Sequence, residues 1–245
     1  MRPRIAIPLP HSIDREYAQR ALPQYEHAVE MAGGEPVRIP VDLPPAEVMK
    51  HIERCDAVLL PGSKADVDPE KYGAPRDPET AAADPARDTV DELLLQDAYN
   101  MRKPILGICY GLQILNVYRT GTLLQHIQSP IDHAVGRKLA VAHRVEVKPG
   151  SKLEEIVGSA EIRVNSSHHQ SADVIGDGLQ VVATSPTDAI VEAVEGTSPD
   201  HFVLAVQWHP ERSVDDDEPS RAIFRALVEA AKTRHGKLVG EFEAL

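Results

Sequence analysis

Pro104-Ile-Leu-Gly-Ile-Cys-Tyr-Gly-Leu-Gln113 carries an apolar run into a cysteine set between two glycines, then out into a helical pattern. Pro104 to Ile108 reads as a buried strand and Tyr110 to Tyr118 as a helix. Glycines two residues before and two after Cys109 permit a sharp turn between strand and helix. This is the arrangement of a nucleophile elbow, with cysteine in place of serine. Such a turn exposes the sulfur at the C-terminal edge of a sheet, where doubly wound folds bind ligands. It also sets the sulfur at a helix N-terminus, which favours thiolate. A cysteine in an apolar strand is ordinarily a packing residue, and Cys55, just before another strand, is read that way.

Upstream of this stretch, strands and helices alternate. Arg4 to Leu9, Pro36 to Pro40 and Asp56 to Leu60 are short apolar runs that read as strands. Tyr17 to Ala32, Pro44 to Arg54 and Thr89 to Met101 have helical spacing, with Pro23 expected near the start of the first. Apolar strands separated by helices imply a parallel sheet covered on both faces. Gly62 to Arg87, punctuated by four prolines, reads as one long loop, and a loop of that length in a compact domain is functional or disordered. Downstream the pattern changes. Leu139 to Val147 alternates like a half-exposed strand, followed by strands at Glu161 to Val164, Leu179 to Thr184, Ala189 to Val194 and His201 to Gln207. Pro219 to Lys232 is an amphipathic closing helix.

The 245 residues lie between one and two domains on a length prior, and are read as one domain over 1–245. At 42% hydrophobic residues the chain is too apolar to be disordered. A net charge of −12 argues against nucleic acid and anionic membrane as partners, since both are polyanions. No apolar run is long enough for a membrane span, and the N-terminus lacks the apolar stretch of a signal peptide. Two cysteines cannot make a disulfide scaffold, so a reduced cytoplasmic setting is expected.

A cysteine nucleophile needs a base, and the base needs an orienting acceptor. Val206-Gln-Trp-His-Pro-Glu211 offers both. Pro210 keeps His209 out of helix, and in extended chain His209 and Glu211 point the same way. No metal is assigned: His168 and His169 are adjacent, and neighbours in one strand face opposite sides and do not chelate one ion. GxSxG, HExxH, CxxC and phosphate-loop motifs are absent.

Together, Gly107-Ile-Cys-Tyr-Gly-Leu-Gln113 and Gln207-Trp-His-Pro-Glu211 resemble the class I glutamine amidotransferase superfamily. Within it the chain is most similar to the peptidase C26 group of gamma-glutamyl-gamma-aminobutyrate hydrolases. That narrowing rests on Leu60-Pro-Gly-Ser63 with Val67-Asp-Pro69 and Tyr72-Gly73, on Asp84-Pro-Ala-Arg-Asp88, and on Val164-Asn-Ser-Ser-His-His-Gln170. The resemblance runs over residues 4 to 232. It implies a flavodoxin-like α/β three-layer sandwich, mostly parallel, with an antiparallel extension. It implies Cys109 as nucleophile, His209 as general acid and base, and Glu211 as its orienter. The oxyanion hole would come from backbone N–H groups of Tyr110 and of the Gly62-Ser63 turn. Gln113 and the Ser167-His168-His169-Gln170 stretch would hold the glutamyl end, and Arg87 is a candidate for a substrate carboxylate. The substrate would be a small γ-glutamyl compound, with no cofactor, and a homodimer is compatible with the chain. Tyr110, Thr120 and His126 depart from the group's usual arginine, glycine and acidic residue, which leaves the amine half open. The competing readings are a glutaminase subunit feeding ammonia to a separate synthetase, a non-catalytic binding protein and a cysteine-dependent stress protein.

Overall fold

The computed structural model describes residues 2–243. In chain order its elements are β1 (Arg4–Pro8), α1 (Arg15–Met31), β2 (Glu35–Ile39), α2 (Pro45–Ile52), β3 (Ala57–Leu60), α3 (Pro85–Met101), β4 (Ile105–Ile108) and α4 (Tyr110–Tyr118). They continue with β5 (Leu123–Leu124), β6 (His143–Val147), α5 (Lys152–Val157), β7 (Glu161–Val164), β8 (Ser171–Ala172), β9 (Leu179–Thr184), β10 (Val191–Gly196), β11 (Val203–Val206) and α6 (Glu218–Glu243). Nine strands form one sheet in the order β2-β1-β3-β4-β11-β10-β9-β6-β7, and β5 pairs with β8 separately. From β2 to β11 every pairing is parallel, and from β11 to β7 every pairing is antiparallel. The expected parallel core with an antiparallel extension is therefore what the chain builds.

The parallel strands are apolar on both faces because helices cover both. Ile5, Ile7, Leu59 and Leu106 pack with Tyr25, Val29, Phe224 and Leu227, from α1 and α6. Ala6, Val58, Leu60 and Ile105 face the other way, onto Ile52, Leu94, Leu95 and Leu115, from α2, α3 and α4. Each such buried Leu or Ile contributes ~1.5–3 kcal/mol relative to its exposed state. The switch to antiparallel pairing at β10 ends the need for helices on both faces. Accordingly β6 and β7 alternate buried and exposed residues.

Several boundaries differ from the sequence reading: β6 begins at His143 rather than Leu139, α6 runs on to Glu243 rather than ending at Lys232, and two helix starts move. α1 begins at Arg15, not near Pro23, with the Asp14 side chain accepting from the Tyr17 N–H as its cap. Pro23 sits inside the helix on its exposed side, as does Gln19 four residues earlier, so the carbonyl left without a donor faces water. α3 begins at Pro85, not Thr89, with Asp84 as its cap. That shift takes Arg87 out of the loop and into a helical first turn. No helix among the described residues is long and apolar enough to cross a membrane.

Candidate active site

Cys109 follows β4 and precedes α4 with φ 54° and ψ −104°, a left-sided conformation that costs a non-glycine residue ~1–3 kcal/mol. The glycines on either side explain how this backbone survives. A Cβ on Gly107 would lie 2.7 Å from the Gly111 carbonyl oxygen, and one on Gly111 would overlap the Leu60 carbonyl. The elbow is thus pinned between its own helix and β3. Around it, Ser63, Lys64, Asp66, Gln113, His169, His209 and Arg212 line a cavity of about 320 Å³ that includes Cys109. The first part of the long loop therefore forms one wall of this cavity.

His209 leaves β11 and meets the same cavity. Its Nδ1 lies 2.8 Å from Glu211 Oε1, both side chains being buried. The pairing arises differently from the extended geometry expected. Pro210–Arg212 is a single 3-10 turn, and the turn rather than an extended run brings the carboxylate back to the ring. Asn165 holds the backbone of His209 from both sides: its Nδ2 donates to the His209 carbonyl at 2.8 Å, and its Oδ1 accepts from the His209 N–H at 2.9 Å. Gly62 closes the remaining side, since a Cβ there would lie 3.0 Å from His209 Cε1 and 3.6 Å from Cys109 Cβ.

Burial sets the resting protonation states. It pushes the Cys109 thiol up to about 12, against the opposing pull of Arg212 and the Tyr110 N–H. The expectation that the helix N-terminus alone favours thiolate is corrected here, because dehydration of the sulfur outweighs it. Burial also lowers His209, although Glu211 pulls it upward. Glu211 stays below the usual carboxylate range despite its burial, because His209 and Arg212 favour its charge. A neutral thiol, a neutral imidazole and an ionised Glu211 result. Glu211 accepts the Nδ1–H, so His209 Nε2 carries the free lone pair.

The other expected residues divide. Gln113 is buried beside the cavity, where its Nε2 donates to the Gln170 carbonyl at 3.2 Å. Ser167 and Gln170 also reach the cavity wall. His169 faces it and is held by Asp66 at 3.0 Å, an interaction that raises its pKa. His168 and His169 lie in an irregular segment, not a strand, yet their rings separate. His168 also lines the cavity, but its ring is 1% exposed and is turned into a buried cluster with His133, His143 and Glu192. Arg87 is corrected outright. It is fully buried, paired with Asp91 at 2.8 Å, and donates to the carbonyls of Pro10 and Pro61 at 3.0 and 2.9 Å. It ties α3 to two loops and has no reach into the cavity. In the turn expected to supply an oxyanion donor, the Gly62 N–H is already given to Tyr25 Oη at 3.0 Å. Cys55 is buried and pushed up to about 11 by burial, as a packing residue should be.

Of the three departing positions, Tyr110 points away from the cavity, bonding Asp88 and stacking on Arg87. Thr120 adopts φ 72° where glycine would be unstrained. The His126 ring is the one near the cavity, 5.9 Å from that of His169.

Arg212 escaped the sequence reading. Its Nε and Nη1 are buried with no hydrogen-bond partner, and it lines the cavity that holds Cys109. The signal was its place directly after Glu211. Asn165 was quoted only within a motif, because a backbone clamp leaves no spacing pattern.

Comparison with known proteins agrees with this architecture. The chain is 37% identical over 217 residues to a candidate glutamine amidotransferase of Mycobacterium tuberculosis, covering 87% of this chain and 68% of that one. It is 34% identical over 221 residues to the gamma-glutamyl-gamma-aminobutyrate hydrolase PuuD of Escherichia coli K12, covering 85% of each. Among solved structures, a candidate GMP synthase component of Thermoplasma acidophilum superposes with a TM-score of 0.67 at 16% identity, covering 97% of this chain and 98% of that one, a likeness of fold. The peptidase C26 model matches residues 9–211, a span that runs from the end of β1 through Cys109 to Glu211, and the chain belongs to that family.

Proposed function

We propose that this protein hydrolyses the γ-glutamyl amide bond of a small γ-glutamyl compound through a thioester on Cys109, releasing glutamate and an amine. The observation that carries this reading is the strained Cys109 elbow sharing one cavity with a His209–Glu211 pair whose free nitrogen is Nε2. His209 Nε2 takes the Cys109 proton as sulfur attacks the γ-carbonyl carbon. The carbonyl oxygen becomes an oxyanion, received by the Tyr110 N–H and by the Ser63 N–H, since Gly62 is engaged with Tyr25. His209 returns the proton to the leaving amine nitrogen as the C–N bond breaks. Water then gives a proton to His209 and its hydroxide to the thioester carbon, and glutamate leaves as the thiol reforms.

A γ-glutamyl group carries an α-carboxylate into a chain of net charge −12, so the cavity must supply local positive charge. Arg212, whose buried Nη1 has no hydrogen-bond partner and whose Nε lies 3.5 Å from Glu211 Oε1, meets that need in place of Arg87. The Asp66-held His169 adds a second partner. Relatives named for hydrolysis of γ-glutamyl-γ-aminobutyrate make that compound the first to try.

A hydrolysis screen of γ-glutamyl-GABA, γ-glutamyl-putrescine, polyglutamate and glutamine, with Cys109→Ala as control, tests the reading. Free-standing release of glutamate from one of the γ-glutamyl amines, abolished by Cys109→Ala, is expected. Turnover of glutamine alone, and only when a partner protein is added, would replace it with the glutaminase-subunit reading.

A further inference from the structure

A second histidine–carboxylate assembly lies buried beside the cavity. Its side chains come from four places in the chain: His133 from the segment before β6, His143 from the start of β6, His168 from the segment after β7, and Glu192 from β10. Their donor atoms lie within 4.8 Å of one another, and each side chain is 5% exposed or less.

Hydrogen bonding fixes where the protons on these rings sit. His143 Nδ1 and His168 Nδ1 each lie 3.0 Å from a backbone carbonyl, of Arg144 and Gln170 respectively. A carbonyl only accepts, so both Nδ1 atoms carry hydrogen, and in the neutral rings both Nε2 atoms present lone pairs. His133 Nε2 lies 2.8 Å from Asp188, whose carboxylate also accepts from Ser129. That leaves the His133 Nδ1 lone pair pointing inward. Three nitrogen lone pairs thus converge on the Glu192 carboxylate. None of the three inward nitrogens, and neither Glu192 oxygen, has a hydrogen-bond partner. Four acceptors facing one another in a buried space require something positive between them. An outer acceptor on each ring that aims the inner nitrogen is the usual support for a metal-ligating histidine.

We propose that His133 Nδ1, His143 Nε2, His168 Nε2 and Glu192 bind one zinc ion in a closed, four-coordinate site. Glu192 Oε1 stands 3.4, 3.3 and 3.7 Å from the three nitrogens. A tetrahedral ion with bonds of ~2.0–2.1 Å has ligand–ligand edges of ~3.3–3.4 Å. Calcium and magnesium prefer oxygen ligands in larger number, so three imidazoles select against them. With four protein ligands and no open position, the ion has a structural role. It joins β6 and β10 to two segments whose neighbouring residues, Ala134 on one and Ser167 and His169 on the other, line the cavity of Cys109. The site stands on its own residues and does not depend on the proposed reaction.

The test is the metal content of the full chain, purified from zinc-supplemented cells without any immobilised-metal step and measured by mass spectrometry. One zinc per chain is expected for the unaltered protein and equally for Cys109→Ala, which removes the only thiol at the catalytic cavity. His143→Ala and Glu192→Gln should lose the zinc, and their Tm should fall by several degrees, since an ion bound only by the folded state stabilises it. If those variants fail to fold, cobalt substitution of the unaltered chain decides. The intense visible bands of four-coordinate cobalt, without a thiolate charge-transfer band, are expected. No zinc above buffer background would overturn the site and leave protons on the imidazoles to satisfy Glu192. Zinc lost in Cys109→Ala but kept in His143→Ala would overturn it too, placing the ion at the catalytic pair.

Discussion

His209–Glu211 and the His133–His143–His168–Glu192 cluster use the same two residue types at nearly the same burial, and they differ in stoichiometry. In the first, one imidazole meets one carboxylate, the Nδ1–H is spent on Glu211, and one lone pair is left on a ring that shares the cavity of Cys109. In the second, three imidazoles meet one carboxylate after their protons have gone to outer acceptors. A one-to-one pair makes a base; a three-to-one excess of lone pairs makes a hole for a cation. The supporting structure differs as well. The pair hangs from the parallel half of the sheet, at the end of β11 next to β4. The cluster is built on the antiparallel half and on the two segments that lie over it.

Variants can break this contrast or make it sharper. The largest effect is expected from Cys109→Ala, which removes the proposed nucleophile: kcat should fall by on the order of 10⁶-fold while metal content is untouched. A Cys109→Ala enzyme with near-normal turnover would mean the elbow is not the reacting centre. Next comes Glu211→Gln, which keeps the shape but loses the charge that holds the Nδ1–H tautomer. It should cost up to about 10⁴-fold in kcat with little change in zinc content. His143→Gln should do the reverse, losing zinc with a smaller catalytic loss. If the two variants behaved alike in both assays, the division of labour would be wrong.

Arg212→Gln should raise KM roughly 10- to 150-fold with a smaller change in kcat, the span of a charged hydrogen bond worth ~1.5–3 kcal/mol. Steady-state kinetics on the substrate found in the screen would show it, and an unchanged KM would remove Arg212 from carboxylate binding. Asn165→Ala unclamps the His209 backbone and should lower kcat by about 10-fold while KM holds, because the base is misplaced rather than lost. The smallest effect is in the pH profile. The competent form holds one proton between Cys109 and His209. Burial lowers His209 below the ordinary imidazole value of 6.5 and lifts Cys109 to about 12. Activity should therefore fall only as pH drops below about 6.5 and stay level well into the alkaline range, the apparent values belonging to the pair. An acid limb above neutrality would contradict the burial of His209.

Much of the fold and the centre of the site were legible in the chain. Strand-to-helix alternation gave the parallel half, and the glycines flanking Cys109 marked the elbow, because a backbone packed so closely that an added Cβ would lie 2.7 Å from a neighbouring carbonyl oxygen tolerates none. Such constraints are local, act on neighbours in sequence, and leave residue types behind as evidence. His209 and Glu211 are two residues apart and belong to the same class.

What only the tertiary structure decided is where long side chains end. Arg87 looked available beside a loop and proved to be the cross-brace of a helix start, because four added residues of α3 carried it into the interior. Arg212 took its place at the cavity. Dehydration overrode the helix N-terminus at Cys109, a balance set by the depth of packing around the sulfur. The cluster was invisible for the plainest reason: His133, His143, His168 and Glu192 span 60 residues and four segments, so no spacing announces them. Adjacency in sequence rightly parted His168 from His169, but it could not show what strand pairing across β6, β9 and β10 would bring to meet His168. Local chemistry is written in order along the chain, whereas convergence of distant charges is a property of the folded sheet.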